Sequence, residues 1–222
     1  LVAAEPPLEH HFVISADGAG EAVVNGSPMP SPAFDVVTRA YGPDDLFMIN
    51  STSGTTGMPK CVLHSQNRWM FFHQLARAAG EMSGGDVFMG LIPAPFGFGL
   101  WTAHFTPNLL GSPTVVSERF NADEALALIE RERVTVLSCV STQFVMMLDS
   151  PEVERRDLTS LRCMFTGGEA VPYGRAARFE DVTGARVLQF YGSNETGALS
   201  HTSMSDDREH RQPGQDAVQQ PA

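Results

Sequence analysis

The chain has 222 residues, 42% hydrophobic and 18% charged, with a formal net charge of −11 and a pI near 5.0. It can bury a sizeable core as one large domain or two small ones, and its acidity excludes a nucleic-acid surface built on clustered Lys and Arg. No apolar run approaches the roughly 18 residues of a membrane span, and the opening LVAAEPPLEHH has neither the basic nor the apolar region of a signal peptide.

Residues 1 to 32 are rich in Pro, Gly and Ala, with one short apolar run at His11 to Ser15. Leu46 to Asn50 (LFMIN) then reads as a buried strand, and Cys61 to Leu63 as a second, short one. Asn67 to Ala79 reads as an aromatic-rich helix, Asp86 to Ile92 as a strand, Leu100 to Leu110 as a helix and Thr114 to Ser117 as a short strand. Asn121 is placed to cap the following helix, with Glu124 three residues on in a capping-box-like pair and basic residues at its C-terminal end. Val134 to Val140 lacks polar alternation, as a strand covered on both faces does. Thr142 to Leu148 (helix), Leu161 to Phe165 (strand), Pro172 to Val182 (helix) and Arg186 to Tyr191 (strand) complete the series. The alternation predicts a layered α/β fold with a mostly parallel sheet flanked by helices. Residues 1–201 form the predicted domain. Residues 202–222 have almost nothing to bury and read as a disordered tail.

Cys61, Cys139 and Cys163 are far apart, inside apolar runs and without CxxC spacing. That disfavours a disulfide framework or zinc site and predicts buried thiols in a reducing, cytoplasmic setting.

Between the first two strands lies STSGTTGMPK, Ser51 to Lys60, ending in the only lysine of the chain. Gly-rich loops bind phosphate because unobstructed backbone N–H groups converge on its oxygens, with hydroxyls and a lysine as further donors. Gly54 and Gly57 supply the freedom; Ser51, Thr52, Ser53, Thr55 and Thr56 the hydroxyls; Lys60 the charge. A Walker A loop does not fit: Thr52 stands where its first Gly belongs, Pro59 separates Gly57 from Lys60, and a strand follows instead of a helix. A polar connection whose Ser, Thr and Gly merely make turns is the plain alternative.

STSGTTGMPK resembles the phosphate loop of the adenylate-forming (AMP-binding) superfamily, which comprises acyl-CoA synthetases, luciferases and peptide-synthetase adenylation domains. In that superfamily the loop joins two strands of a hairpin. VLHSQNRW resembles its strand-to-helix passage, where histidines are usual near His64 and Gln66, and Cys61 replaces a usual Gly. TGGEAVP resembles the segment against adenine, which implies nucleotide contacts at Gly167, Gly168 and Glu169. QFYGSNETG resembles the Tyr-Gly-x-Thr-Glu segment. The match implies that Tyr191 stacks on adenine, Gly192 backs the acyl group, Asn194 (for the usual Thr) meets an α-phosphate or acyl oxygen, and Glu195 holds Mg2+. In PAPFGFGLW, Phe96, Phe98 and Trp101 either line an acid pocket or form aromatic core. The resemblance runs from Asp44 to Ser200.

It implies ATP, Mg2+ and CoA as the small molecules used, with Lys60 and Glu195 as catalytic residues. A carboxylate attacks the α-phosphate of ATP, pyrophosphate leaves, and a thiol then displaces AMP. Positioning and electrostatics carry such a reaction, so no protein nucleophile is needed. The ribose-binding Asp, a following Arg and a second Lys of the family are missing, and Leu1 stands where an initiator Met would. The expectation is therefore a central piece of an acid–CoA ligase, inactive alone. Alternatives are a piece of a peptide-synthetase adenylation domain, a non-catalytic nucleotide-binding remnant, or an unrelated α/β binding module. A weak preference for an apolar acid comes from PFGFGLW.

Overall fold

A computed structural model describes residues 12–13, 23–24, 27–28, 42–52, 60–93 and 96–212. The chain divides into two compact units, Leu1–Tyr41 and Gly42–Ala222. In the first, β1 (Phe12–Val13), β2 (Val23–Val24) and β3 (Ser27–Pro28) pair antiparallel in that order.

The second unit is built on a six-stranded sheet of β6 (Phe88–Gly90), β7 (Thr114–Val115), β8 (Val136–Ser138), β9 (Cys163–Gly167), β10 (Arg186–Ser193) and β11 (Gly197–His201). Their order is β11-β10-β9-β8-β6-β7, and every pairing is parallel except β10 with β11. Alternate residues feed two cores. Phe88, Val136, Cys163, Phe165 and Leu188 pack against Trp69, Phe72, Ala76 and Ala79 of α1 (Gln66–Gly80). Met89, Leu137, Met164 and Val187 pack against α4 (Ala122–Glu132), α5 (Ser141–Asp149) and α6 (Tyr173–Thr183). Both faces are covered at β6, β8 and β9, which is why those strands are mostly apolar. The predicted layered α/β class holds.

Asn121 caps α4 as expected, accepting from the Glu124 N–H at 3.0 Å; the reciprocal bond of a capping box is not present among the described residues. The predicted helix at Leu100 to Leu110 is three contiguous segments: α2 (Gly97–Leu100), a π-helical turn (Trp101–Phe105) and α3 (Thr106–Leu110). The π turn seats Ala103 against Gly90 of β6, where an added Cβ would come within 2.2 Å of the Ala103 Cβ.

Asp86, predicted to open a strand, instead anchors a buried polar junction. It accepts from Arg162 Nε and Nη2 (both 2.7 Å), Thr135 Oγ1 (2.7 Å) and Ser83 N (2.8 Å). Arg162 also donates to the Gly80 and Glu81 carbonyls, closing the C-terminal end of α1. Burial alone would raise the Asp86 pKa; the Arg162 bond, the Ser83 N–H and the Thr135 hydroxyl outweigh it and hold the carboxyl below its ordinary value.

Three expectations are corrected. LFMIN does not lie in the core sheet: β4 (Leu46–Thr52) pairs only with β5 (Lys60–Ser65), as a separate ribbon packed on one face. Met48 and Asn50 turn inward, while Ile49 and Leu63 are 56% and 63% exposed. An apolar run alone does not say how many faces are covered. Cys61 shares that outer face and is exposed, unlike the buried Cys139 and Cys163. Finally, the chain does not lose structure at His201. Residues 202–212 fold back through α7 (Arg208–Arg211), where Arg211 is buried against Glu180 at 3.0 Å and its carbonyl accepts from Gln189 Nε2. A charged segment with little apolar surface is held here by a paired arginine. Residues 213–222 lie outside the described residues.

Candidate nucleotide- and acid-binding site

In an open parallel sheet, ligand sites form beyond the carboxyl ends of the strands, where the loops diverge. The segments leaving β6, β8, β9 and β10 meet there around a cavity of about 480 Å3. Gln143, in the first turn of α5, ties two of them together: its amide donates to the Leu91 carbonyl (2.8 Å) and its oxygen accepts from Val140 N (3.1 Å). Glu169 ties a third, accepting from the Thr142 N–H at 2.8 Å and from its hydroxyl at 3.1 Å. Glu169 thus braces the loop after β9 against the start of α5. Neither Thr142 nor Gln143 is marked by the sequence, because the partner of each, the Glu169 carboxylate and the Leu91 carbonyl, is distant in the chain.

The two strands flanking the Gly-rich segment are antiparallel neighbours, with Thr52 opposite Lys60. The predicted contacts Ser53, Gly54, Thr55, Thr56 and Gly57 lie outside the described residues. Ser51 and Thr52 end β4, and Lys60 begins β5 with its side chain exposed. Asn50 Nδ2 donates to Asn194 Oδ1 (3.3 Å), and Asn194 Nδ2 reaches the Ser51 carbonyl (3.5 Å). The structure therefore brings Asn194 to the strand that leads into the Gly-rich segment.

Asn194 and Glu195 sit in the turn between β10 and β11. Ser193 and Thr196 close this turn, with Ser193 N donating to Thr196 Oγ1 (3.1 Å) and Thr196 N to Ser193 Oγ (3.2 Å). The Glu195 carboxyl is exposed. It is held below the usual carboxylate range first by the Ser193 hydroxyl, then by a backbone N–H, with Lys60 and Arg68 adding positive charge. It is thus ionised near neutral pH.

Phe96, Phe98 and Trp101 all border the cavity. Trp101 is also core, packed edge-on against Phe72 and Phe190 at centroid distances of 5.8 and 5.4 Å. Phe98 also packs against that core, whereas Phe96 is exposed. Gly167, Gly168, Glu169, Tyr191, Gly192 and Asn194 border the cavity as well, whereas Lys60 and Glu195 are not among its lining residues. Tyr191 is 71% exposed, leaving an aromatic face open at the rim. Gly192 has a structural reason independent of any ligand: a Cβ there would stand 1.8 Å from the Gly197 carbonyl oxygen. His64, also at the cavity, is buried. Burial first and Arg68 second push its pKa down, so the imidazole is neutral at pH 7.

No group of three His, Cys, Asp or Glu among the described residues could hold a metal alone. A Mg2+ ion does not require one: it keeps waters and takes one or two carboxylates plus substrate phosphates. The ionised, exposed Glu195 fits that donor set.

The AMP-binding enzyme family profile matches residues 3–219. The chain belongs to that family, the adenylate-forming ligases. It is 36% identical over 165 residues to the indoleacetate–CoA ligase of Aromatoleum aromaticum, covering 73% of this chain and 32% of that protein. It is 32% identical over 176 residues to pyochelin synthase PchD of Pseudomonas aeruginosa, covering 78% and 31%. Among solved structures, an acyl-CoA synthetase from Brucella canis superposes with a TM-score of 0.68 at 28% identity (82% of this chain, 36% of that one). ATP-bound MatB from Rhodopseudomonas palustris gives 0.69 at 26% (76% and 33%). The chain spans about a third of the length of these relatives. No helix among the described residues is long and apolar enough to cross a membrane.

Proposed function

We propose that this chain is the nucleotide- and acid-binding part of a cytoplasmic, AMP-forming acid–CoA ligase acting on an apolar carboxylic acid. The observation that carries this reading is the position of the Asn194–Glu195 turn. It is hydrogen-bonded to the strand entering the Gly-rich segment and borders an apolar cavity with Asn194. A group that handles phosphate stands beside a space that holds a hydrophobic body, as acyl-adenylate formation needs.

Tyr191 and the Gly167–Gly168 loop receive the adenine, and Phe96, Phe98 and Trp101 receive the acid's apolar part. Asn194 orients the reacting oxygens, its amide able both to donate and to accept. As the carboxylate oxygen bonds to the α-phosphorus, the bond to the pyrophosphate oxygen breaks. Lys60 and the Ser51–Gly57 donors stabilise the charge that collects on the leaving group. Glu195 would hold Mg2+, which when bound neutralises phosphate charge. The CoA thiol afterwards displaces AMP.

Acyl-sulfamoyl adenosine analogues test the site without turnover. Calorimetry on the chain should show indole-3-acetyl and medium-chain acyl analogues binding at least tenfold tighter than AMP. No gain over AMP for any acyl group would refute the acid pocket. In a full-length enzyme that carries this segment, Lys60→Ala and Glu195→Gln should each lower ATP–pyrophosphate exchange by about 10²-fold, the size of one removed electrostatic donor; unchanged exchange would refute their roles. The likeness to pyochelin synthase PchD favours a second reading, in which a carrier-protein thiol replaces CoA; thioester formation with each acceptor decides between them.

A further inference from the structure

Arg68 lies in the first turn of α1, its N–H received by the N-cap hydroxyl of Ser65 at 3.4 Å. Its Nη2 donates to the carbonyls of Asn194 (2.8 Å) and Glu195, 126 and 127 residues away. A guanidinium this close to a carboxylate would ordinarily pair with it. Among the described residues Arg68 makes no ion pair with Glu195 and spends its donors on the backbone instead. One turn along α1, Phe72 lies beneath the Arg68 guanidinium, 5.6 Å from carbon to ring centroid. Phe72 also supports the far end of the same turn: a Cβ on Gly197 would fall 2.0 Å from its ring. The helix thus fixes the Asn194–Gly197 turn at both ends, with hydrogen bonds from Arg68 and with packing from Phe72.

We propose that Arg68 is a positioning residue for Glu195, holding the turn's carbonyls so that the carboxylate is left free and fixed for the metal-bound phosphates of the nucleotide. The inference rests on the ligase reading above for the identity of the ligand, but not for the coupling between α1 and the turn. Carbonyl-directed Arg donors set geometry where a carboxylate-directed pair would neutralise the charge that the cation needs.

Two measurements on the 222-residue chain test it. Amide hydrogen exchange should quicken at least tenfold at residues 194–197 in Arg68→Ala while β8 and β9 stay unchanged. In calorimetry, Arg68→Ala should weaken Mg2+·ATP binding about tenfold and metal-free ATP less than twofold. Adding Glu195→Gln should cost nothing more, because both changes remove one function. Arg68→Lys, which keeps the charge but loses the fork, should resemble Arg68→Ala. Recovery by lysine, or losses that add, would overturn positioning and leave a simple charge effect. An unchanged turn in Arg68→Ala would overturn the inference whatever the nucleotide does. If the unaltered chain binds no nucleotide yet the turn loosens on mutation, the coupling stands and the ligase reading falls.

Discussion

Asn50 and Asn194, 144 residues apart, are joined side chain to side chain at 3.3 Å, and Gly97 leaves the room for them. A Cβ on Gly97 would stand 2.7 Å from Asn194 Oδ1 and 3.2 Å from Asn50 Nδ2. Three distant segments therefore meet where the Gly-rich strand approaches the Glu195 turn. Asn50→Ala should cost about 1 kcal/mol of stability, one neutral hydrogen bond, and weaken Mg2+·ATP binding several-fold. Urea titration and calorimetry check the two effects separately. Gly97→Ala should act like Asn50→Ala on nucleotide binding, since it pushes the pair apart.

The Asp86–Arg162 junction predicts a pH effect of defined sign. Asp86 has a folded pKa below the ordinary 3.8. The unfolded chain therefore binds its proton first on acidification, and stability present above that value is lost as pH falls through the folded pKa. Asp86→Asn should destabilise by roughly 3 kcal/mol, because it leaves a partly buried guanidinium unpaired, and should flatten the acid limb of a stability-versus-pH curve below about pH 4. Thermal unfolding of both proteins between pH 2.5 and 7 measures this; parallel curves would refute it.

Gly197 has φ +71°, in the left-handed region, and abuts Phe72. Gly197→Ala should cost about 1–2 kcal/mol in backbone strain alone, with the ring clash added. Phe72→Ala in the same chain should relieve the clash but not the strain, so the pair will be less than additive. Gly192→Ala, whose Cβ meets the Gly197 carbonyl, should separate β10 from β11 and gain nothing from Phe72→Ala. Denaturant midpoints of the three single and two double variants distinguish these cases.

The thiols should divide one to two. Cys61 is exposed, whereas burial pushes the Cys163 thiol up to about 12 and Cys139 higher still. A native sample treated with an aromatic disulfide at pH 8 should gain one label quickly, and two more only in denaturant. Mass spectrometry reads the count, and rapid labelling of all three would refute the burial of the sheet core.

Much of this was legible in the residues. The strands β8 and β9 announce themselves as mostly apolar runs because both faces are covered, and QFYGSNETG marked residues that border the cavity. β4 misled, since LFMIN is equally apolar whether one face or two is packed. Arg211 was invisible for the opposite reason: a charged residue reads as surface until its buried partner Glu180, 31 positions earlier, is known. Arg68 and Gln143 escaped because their distant partners are backbone carbonyls, which carry no sequence signal, and Thr142 because its partner Glu169 lies 27 positions away.

The π turn at Trp101–Phe105 holds one residue more than an α-helix needs there. Deleting one residue within it would convert it to an ordinary α-helical turn and leave Gly97–Leu100 and Thr106–Leu110 facing as they do now. Phe98 would keep its place on the cavity wall, and the cost would fall on the seat of Ala103 against Gly90. The helix beside the cavity can thus lose a residue at this point without losing its direction, a tolerance that a regular α-helix does not have.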